Sequence, residues 1–190
     1  MSRIRPARPA DAAALADLAA ATFALACPPD VDLAAVAEHV RAALSAEHFT
    51  RHLADPTRLI LIAENDAENI AENDAENDAE NEELAGFTML VFGEPDDADA
   101  RACVSIRPVV EVSKCYVRAD SHGSGLAGEL MTATLQAGRD RGSAGAWLGV
   151  HELNDRALRF YAKHGFMAVG SKHFLFDGVN ETDLVMQRLL

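Results

Sequence analysis

A glycine loop at residues 123–128 constrains the fold of this chain more than any other stretch. It reads Gly-Ser-Gly-Leu-Ala-Gly, a G-x-G-x-x-G pattern, between a strand-like run at 112–117 and a helical run at 129–140. Small residues let the main chain approach a bulky anion, and the unpaired N–H groups at a helix start favour phosphate. The unit therefore predicts a pyrophosphate site. A tight strand-to-helix turn, with glycines for backbone geometry only, is the alternative.

A dinucleotide-binding Rossmann fold fits this context poorly. Such a fold places its first glycine directly after the strand and an acidic residue about 20 positions further on. Glu152 lies near that position, but five residues separate Val117 from Gly123. Only 62 residues follow the loop, which is too few for the remaining strands of a doubly wound sheet. The loop therefore indicates another fold that cradles a phosphate.

The hydrophobic periodicity along the chain predicts an α/β domain with a mixed sheet. At 190 residues and 49% hydrophobic content, one domain spanning 1–190 around one sizeable core is expected. No apolar run approaches the roughly 20 residues that span a bilayer, so no membrane partner is expected. Strands are predicted near 4–8, 59–63, 84–92, 109–117, 146–150, 167–176 and 183–189, and helices at 12–26, 33–53, 129–141 and 154–164.

An acidic repeat separates two of the predicted strands. Residues 63–82 form five four-residue units of the type Ala-Glu-Asn-Asp, with Ile70 and Glu82 as the exceptions. A period of four drifts about 40° per unit on an α-helix and builds no stable face. We interpret residues 64–83 as a low-complexity solvated insert in a strand–strand connection, because loop-closure entropy grows slowly with length. An acidic segment that binds a partner or collects metal is the alternative.

Charge and cysteine content limit the class of partner. The insert holds ten acidic side chains, and the rest of the chain carries only −3 of the total net charge of −13, which argues against nucleic acid. Cys27, Cys103 and Cys115 make neither a zinc pattern nor a disulfide framework, which favours a reducing cytoplasm. His48 and His52 could share a helix face, but no third ligand accompanies them, and we predict no metal site.

Two motifs in the second half of the chain give it a resemblance to a known family. The stretch 122–127, His-Gly-Ser-Gly-Leu-Ala, is similar to the Q/R-x-x-G-x-G/A loop of the GNAT acetyl-CoA-dependent N-acetyltransferases, with His122 at the usual Gln or Arg. The stretch 154–166 fits that family's N-x-x-A-x-x-F-Y-x-K-x-G-F pattern, and the motifs stand in the family's order. The resemblance covers nearly the whole chain except residues 64–83.

The resemblance implies a fold and a cofactor. It implies a single GNAT-like α/β domain whose mixed, mostly antiparallel sheet has six to seven strands, with about four helices packed on both faces. It also implies acetyl-CoA as co-substrate, held by the end of a splayed strand, by the glycine loop and by the start of the following helix. The residues expected to bind acetyl-CoA are Cys115, Tyr116, Val117, His122, Gly123, Ser124, Gly125, Leu126, Ala127 and Asn154.

Acetyl transfer to an amine also needs an acid and a base. By the resemblance, the Tyr161 phenol is the general acid that protonates the departing thiolate; a core aromatic is the alternative reading of this residue. The candidates for the general base are Glu111, His151 and Glu152, which we expect on the two strands that flank the cleft, and we take Glu111. Many relatives carry a carboxylate at the position of Gly149. Cys115 as a nucleophile is a sharper alternative, but a lone Cys in an apolar strand is usually a buried hydrophobe.

The acceptor is the least constrained part of the reaction. The C-terminal segments 147–150, 170–176 and 182–186 resemble bacterial spermine/spermidine N-acetyltransferases of the PaiA type, which implies direct transfer of acetyl to a small polyamine such as spermidine or spermine. An amino acid, an antibiotic or a protein N-terminus as acceptor, a non-catalytic acyl-CoA sensor, and a structural interaction protein are the alternatives. Monomer and homodimer are both compatible with the sequence.

Overall fold

The computed structural model of the chain describes residues 3–23, 33–64, 84–176 and 178–190. These residues form seven strands and six α-helices, with short 3-10 turns at Pro9–Asp11 and Ala119–Ser121. The strands are β1 Arg3–Pro6, β2 Arg58–Glu64, β3 Leu84–Phe92, β4 Val109–Val117, β5 Gly145–His151, β6 Met167–Phe176 and β7 Val179–Leu189. The helices are α1 Ala12–Phe23, α2 Leu33–Ala43, α3 Ala46–Ala54, α4 Ala98–Cys103, α5 Leu126–Asp140 and α6 Asp155–Lys163.

All seven strands belong to one sheet, in the order β1-β2-β3-β4-β5-β7-β6. Only β4 and β5 pair in parallel, and every other neighbouring pair is antiparallel. The predicted single α/β domain with a mixed, mostly antiparallel sheet is therefore confirmed.

The described part of the chain has more helices than the four expected. Ser45 breaks the predicted helix at 33–53 because its side chain accepts a hydrogen bond from the His48 amide and starts α3 as a new helix. The predicted loop at 93–100 ends in α4, which Asp97 caps through the Ala100 amide. Both helices start at a short polar side chain that satisfies a free backbone donor.

The helices cover both faces of the sheet. On one face, Leu15 of α1 and Phe49 of α3 join Phe87 of β3 in a buried cluster. On the other face, Leu130 and Met131 of α5 are fully buried against the central strands. The core therefore lies on both sides of the sheet, and the central strands reach solvent only where the helices leave a gap.

A fork between β4 and β5 makes such a gap. The two parallel strands share three register pairs, from Val109↔Gly145 to Glu111↔Trp147, and then diverge. Beyond Glu111, β4 stays paired with β3 as far as Val117, after a bulge opposite Met89 and Leu90. The β5-facing edge of β4 is thus released from the ladder over its last residues.

The ends of the acidic insert meet in the sheet. Glu64 is the last residue of β2 and pairs with Leu84, the first residue of β3. Although we counted Glu64 with the solvated insert, its side chain is buried and forms an ion pair with Arg5 on β1. Residues 65–83 lie outside the described residues, and so does Cys27.

Candidate functional site

The fork opens into a cavity of about 150 Å³ between β4, the glycine loop and α6. We call it the fork cavity. Its lining combines the end of β4, the start of α5 and one face of α6 with a single residue from α1. The lining residues are Thr22, Cys115, Tyr116, Val117, His122, Ala127, Asn154, Arg156, Ala157, Phe160 and Tyr161. Seven of them are among the residues that the sequence predicted for cofactor binding or acid catalysis.

The glycine loop presents backbone donors at the start of α5. Gly123 and Gly125 have φ of 85° and 94°, a left-handed conformation that residues with a side chain rarely adopt. Among the described residues, the amides of Gly123, Gly125 and Ala127 have no hydrogen-bond partner. These free amides alternate with the bonded amides of Ser124 and Leu126. Free amides close to a helix N-terminus can donate to an anion, so the loop offers donors that suit a phosphate.

The side chains of this segment shape the loop. The Ser124 hydroxyl donates to the Ser121 carbonyl at 2.8 Å and accepts from the Leu126 amide at 3.2 Å. The His122 ring donates to the Val117 carbonyl at 3.1 Å and ties the loop to the end of β4. Leu126 is buried in the core. These side chains hold the main chain in place, and any contact of Leu126 with a ligand would come from its backbone.

Helix α6 begins on the opposite wall of the fork cavity. The Asn154 side chain accepts from the Ala157 amide at 3.0 Å, so Asn154 caps the helix as its residue type predicted. Arg156, in the first turn, also lines the cavity, and the sequence reasoning missed it. The sequence did carry one signal, because Arg156 places a cation in the first turn of a helix, where acidic residues are normally favoured. An arginine there offers a positive charge to an anionic ligand.

Tyr161 and Cys115 meet on the inner wall of the cavity. The Tyr161 phenol and the Cys115 thiol both line the cavity, and each influences the pKa of the other. Burial raises the pKa of Tyr161 well above its ordinary value of 10 and raises the pKa of Cys115 to about 12. Both groups are therefore protonated at neutral pH, which makes Cys115 a poor nucleophile.

Glu111 stands where the fork begins. It is the last residue of β4 that pairs with β5, and its side chain is largely buried. Burial raises the pKa of Glu111, and the nearby ammonium groups of Lys172 and Lys114 oppose that rise. A carboxylate whose pKa moves toward neutrality suits a general base.

The other two base candidates have different surroundings. The Leu153 amide donates to Nδ1 of His151, so Nε2 carries the proton and donates to Glu181 at 2.8 Å. The unprotonated ring nitrogen of His151 thus already accepts a hydrogen bond and is not free to take a proton from an amine. Glu152 lies in the turn after β5, not on a strand as we expected, and it is exposed. Of the three candidates, Glu111 alone is a largely buried carboxylate at the fork.

An ion pair between Lys172 and Asp183 lies on the same face of the sheet as Glu111. Nζ of Lys172 on β6 and Oδ2 of Asp183 on β7 are 3.2 Å apart. We call Glu111, Lys172 and Asp183 the charged patch. A Cβ built on Gly149 would lie 2.6 Å from Cε of Lys172 and 3.0 Å from Oδ2 of Asp183. The ion pair therefore fills the space where many relatives were expected to carry a carboxylate.

The two histidines considered as metal ligands have separate surroundings. Nδ1 of His48 lies 2.8 Å from the Ser45 hydroxyl, whereas the His52 ring packs edge-on against Phe49. Burial lowers the pKa of His52 to about 4. In the part of the chain that the structure describes, no three His, Cys, Asp or Glu side chains gather as a metal site. No helix of that part is long and apolar enough to cross a membrane.

Comparison with known proteins shows which family the chain belongs to. Residues 33–166 match the Acetyltransferase (GNAT) family. Over 180 residues, the chain is 39% identical to an uncharacterised N-acetyltransferase of Mycobacterium tuberculosis, which covers 95% of this chain and 98% of the relative. An uncharacterised N-acetyltransferase of Mycobacterium bovis matches equally well. The chain belongs to the GNAT acetyltransferase family.

Solved structures share the fold across the whole chain. A PaiA N-acetyltransferase from Thermoplasma acidophilum, in complex with coenzyme A, superposes with a TM-score of 0.73 at 18% identity, covering 100% of this chain and 99% of that one. Arabidopsis thaliana NAA60, in complex with acetyl-CoA, gives 0.70 at 16% identity with the same coverage. The protein is an acetyl-CoA-dependent N-acetyltransferase. Its free loop amides and the lined fork cavity fit a diphosphate and a slender acyl arm.

Proposed function

We propose that this enzyme transfers acetyl from acetyl-CoA directly to a primary amine, without a covalent enzyme intermediate. The observation that carries the proposal is the fork between β4 and β5. It places the buried Tyr161 hydroxyl on the wall of the fork cavity and Glu111 at the point where the strands part. An acyl transfer between a thioester and an amine requires an acid for the leaving sulfur and a base for the attacking amine, and we assign these roles to Tyr161 and Glu111.

The proposed division of proton transfers follows from these positions. Glu111 takes the proton of the attacking amine, directly or through a water, as the new N–C bond forms. The amides on the released edge of β4 donate hydrogen bonds to the carbonyl oxygen as it gains negative charge. Tyr161 gives its proton to the sulfur as the C–S bond breaks. The products are the N-acetylated amine and the free thiol of CoA.

Burial acts on the acid and on the leaving group alike. In water a thiolate is a weaker base than a phenolate, by about 1.5 pKa units, so proton transfer from Tyr161 runs slightly uphill. Inside the fork cavity, burial raises the pKa of the Cys115 thiol to about 12 and also raises the pKa of the Tyr161 phenol. A thiolate formed in the same surroundings would be desolvated in the same way, so the transfer stays a small uphill step that a general acid can perform.

We propose a small polyamine as the acceptor, the substrate that the C-terminal segments suggested. Alternate residues of a strand share one face, so Glu181 and Asp183 of β7 lie on the face that carries Glu111. Neighbouring positions on this face are about 7 Å apart along a strand, which is close to the spacing of ammonium groups in short diamines. Asp183 is paired with Lys172 and Glu181 with His151, so a polyamine would bind here by sharing these carboxylates with their present partners.

An amine panel tests the function. Purified enzyme and acetyl-CoA are mixed with spermidine, spermine, a simple monoamine, an amino acid, an aminoglycoside and a peptide with a free N-terminus, while free thiol is followed. The polyamines are expected to give the highest kcat/KM. Faster turnover of the amino acid or the peptide would assign one of the alternative acceptors. Thiol release that needs no amine would contradict direct transfer to an amine.

We also propose a cytoplasmic location, supported by Cys103 and Cys115, which are both free thiols. Thiols that persist unpaired fit a reducing compartment. Light scattering of the purified protein would distinguish a monomer from a homodimer.

A further inference from the structure

The Lys172 side chain occupies an unusual place on the sheet. It starts on β6 opposite Asp183 in register, crosses β7, and brings its Cε to 2.6 Å from the point where a Cβ of Gly149 on β5 would stand. Only a glycine at position 149 leaves room for this path. About a quarter of the Lys172 side chain and 15% of the Asp183 side chain are exposed, so the ion pair is largely shielded from water.

This path leads the Lys172 ammonium toward the fork. Its charge acts on Glu111, which stands at the last register pair of β4 and β5. Asp183 on β7 pairs with the ammonium, and the Phe174 ring lies 5.5 Å from it. Lys114 on β4 and Arg58 on β2 are the other cations that act on Glu111. Glu181 on β7 and His151 on β5 pair with each other. Lys172 is therefore a fixed cation between two carboxylates, next to where the amine must lose its proton.

We propose that Lys172 keeps both the bound amine and Glu111 in their deprotonated forms, which are the forms that react on the acceptor side. The proposal rests on the proposed function. A fixed positive charge repels a second ammonium and so favours a neutral, nucleophilic amine. The same charge stabilises the Glu111 carboxylate against the cost of burial. Lys172 acts through these two groups and is a positioning residue, not one that touches the reacting bonds.

The charge-removing variant Lys172→Met gives a distinctive kinetic signature. Without the repelling cation, the protonated amine binds more tightly, so KM falls. A smaller fraction of the bound amine is then neutral, so kcat at pH 7 falls as well. The acid limb of the kcat/KM profile is expected to move up by about one pH unit. Lys172→Arg should restore the limb. Lys163→Met, at an exposed site on α6, is the matched control.

A second variant predicts the opposite sign. Asp183→Asn removes a carboxylate that favours protonation of both Glu111 and the amine, so the acid limb should move to lower pH. An unchanged limb in Lys172→Met, or movement of both variants in the same direction, would overturn the proposal. Thermal unfolding of each variant excludes a loss of fold as the cause.

A titration of Glu111 made without any acceptor separates the role of Lys172 from the proposed function. The carboxyl carbon of Glu111 can be titrated by ¹³C NMR in the enzyme without any acceptor. Lys172→Met should raise the Glu111 pKa and Asp183→Asn should lower it. If wild-type enzyme acetylated no amine of the panel but these two shifts appeared, the proposed function would fail while the electrostatic role of Lys172 stood. If neither shift appeared, the role of Lys172 would fail by itself.

Discussion

The phenol of Tyr161 on α6 and the thiol of Cys115 on β4 line the same cavity and interact there. This contact ties the proposed acid to the released end of the central strand. It also places a buried thiol beside the phenol, in surroundings like those a departing thiolate would meet.

Replacing Tyr161 with Phe removes the proton donor and little else. The ring can keep its packing against Phe160 and Phe166. We expect kcat to fall about a hundredfold, the usual size of a general-acid effect, with CoA affinity unchanged. Steady-state kinetics and calorimetric titration with CoA would check both. Full turnover in Tyr161→Phe would show that the leaving thiolate takes its proton from elsewhere.

Replacing Cys115 with Ala tests the rejected nucleophile. Because burial raises the pKa of Cys115 to about 12, less than about one molecule in 10⁴ carries a thiolate at pH 8. Cys115→Ala is expected to keep activity within about tenfold of wild type, since it removes only a small side chain that interacts with Tyr161. Mass spectrometry of wild-type enzyme with acetyl-CoA alone should show no acetyl group on Cys115. Its appearance there, with complete loss of turnover in the variant, would favour a covalent route.

Replacing Glu111 with Gln tests the base. Glu111 must be ionised to accept a proton, and burial raises its pKa above the ordinary value. Wild-type kcat/KM should therefore fall as pH drops through this raised pKa. In Glu111→Gln, kcat should fall by about a hundredfold, and this acid limb should disappear. Glu152→Gln, at the exposed turn after β5, is the control and should leave the profile unchanged.

The charge cluster at the start of the sheet bears on stability. Arg5 bridges Asp11 at 2.8 Å and the buried Glu64. Arg5→Met leaves the Glu64 carboxylate without its main partner, which should cost about 3 kcal/mol in the free energy of unfolding. Arg3→Met removes an exposed side chain 3.8 Å from Glu64 and should cost under about 1 kcal/mol. Equal losses in urea denaturation would contradict this assignment.

The acid sensitivity of the same cluster has a definite sign. The Arg5 guanidinium holds the pKa of Asp11 below its ordinary value. A depressed folded-state pKa contributes stability that is present above the unfolded pKa of about 3.8 and is lost as pH falls through the folded value. Wild type should therefore lose more stability than Arg5→Met between pH 4 and pH 2.

Deleting the acidic insert should leave the enzyme intact. Glu64 and Leu84 pair directly, so a short turn can replace residues 65–83 without moving either strand. Because closure entropy changes slowly with loop length, we expect a melting temperature within a few degrees of wild type and unchanged kcat/KM. A large loss of activity would instead give the repeat a role in catalysis or partner binding.

The sequence could predict the parts of this enzyme that local chemistry determines. The glycines at 123 and 125 are needed where the backbone takes positive φ, and Asn154 caps the helix that its residue type marked. Tyr161 belongs to the second motif and Cys115 to the strand that precedes the glycine loop, and both line one cavity. Each of these features is encoded within a short stretch of chain.

Contacts across several strands escaped prediction for a physical reason. Lys172 and Gly149 are 23 positions apart, and their relation depends on β7 lying between β5 and β6. The same strand order brings Asp183 diagonal to Gly149. Arg156 was missed because its motif position carries no residue preference. The residues on the acceptor side come together because of the order of strands in the sheet. Neither the hydrophobic periodicity of the sequence nor the spacing of its motifs reveals that order.

The most direct test of the central claim is a crystal structure of this enzyme with CoA bound. The account predicts that the diphosphate contacts the amides of Gly123, Gly125 and Ala127, and that the CoA sulfur lies within about 4 Å of the Tyr161 hydroxyl. A sulfur directed away from the fork, or a diphosphate bound elsewhere on the chain, would contradict it.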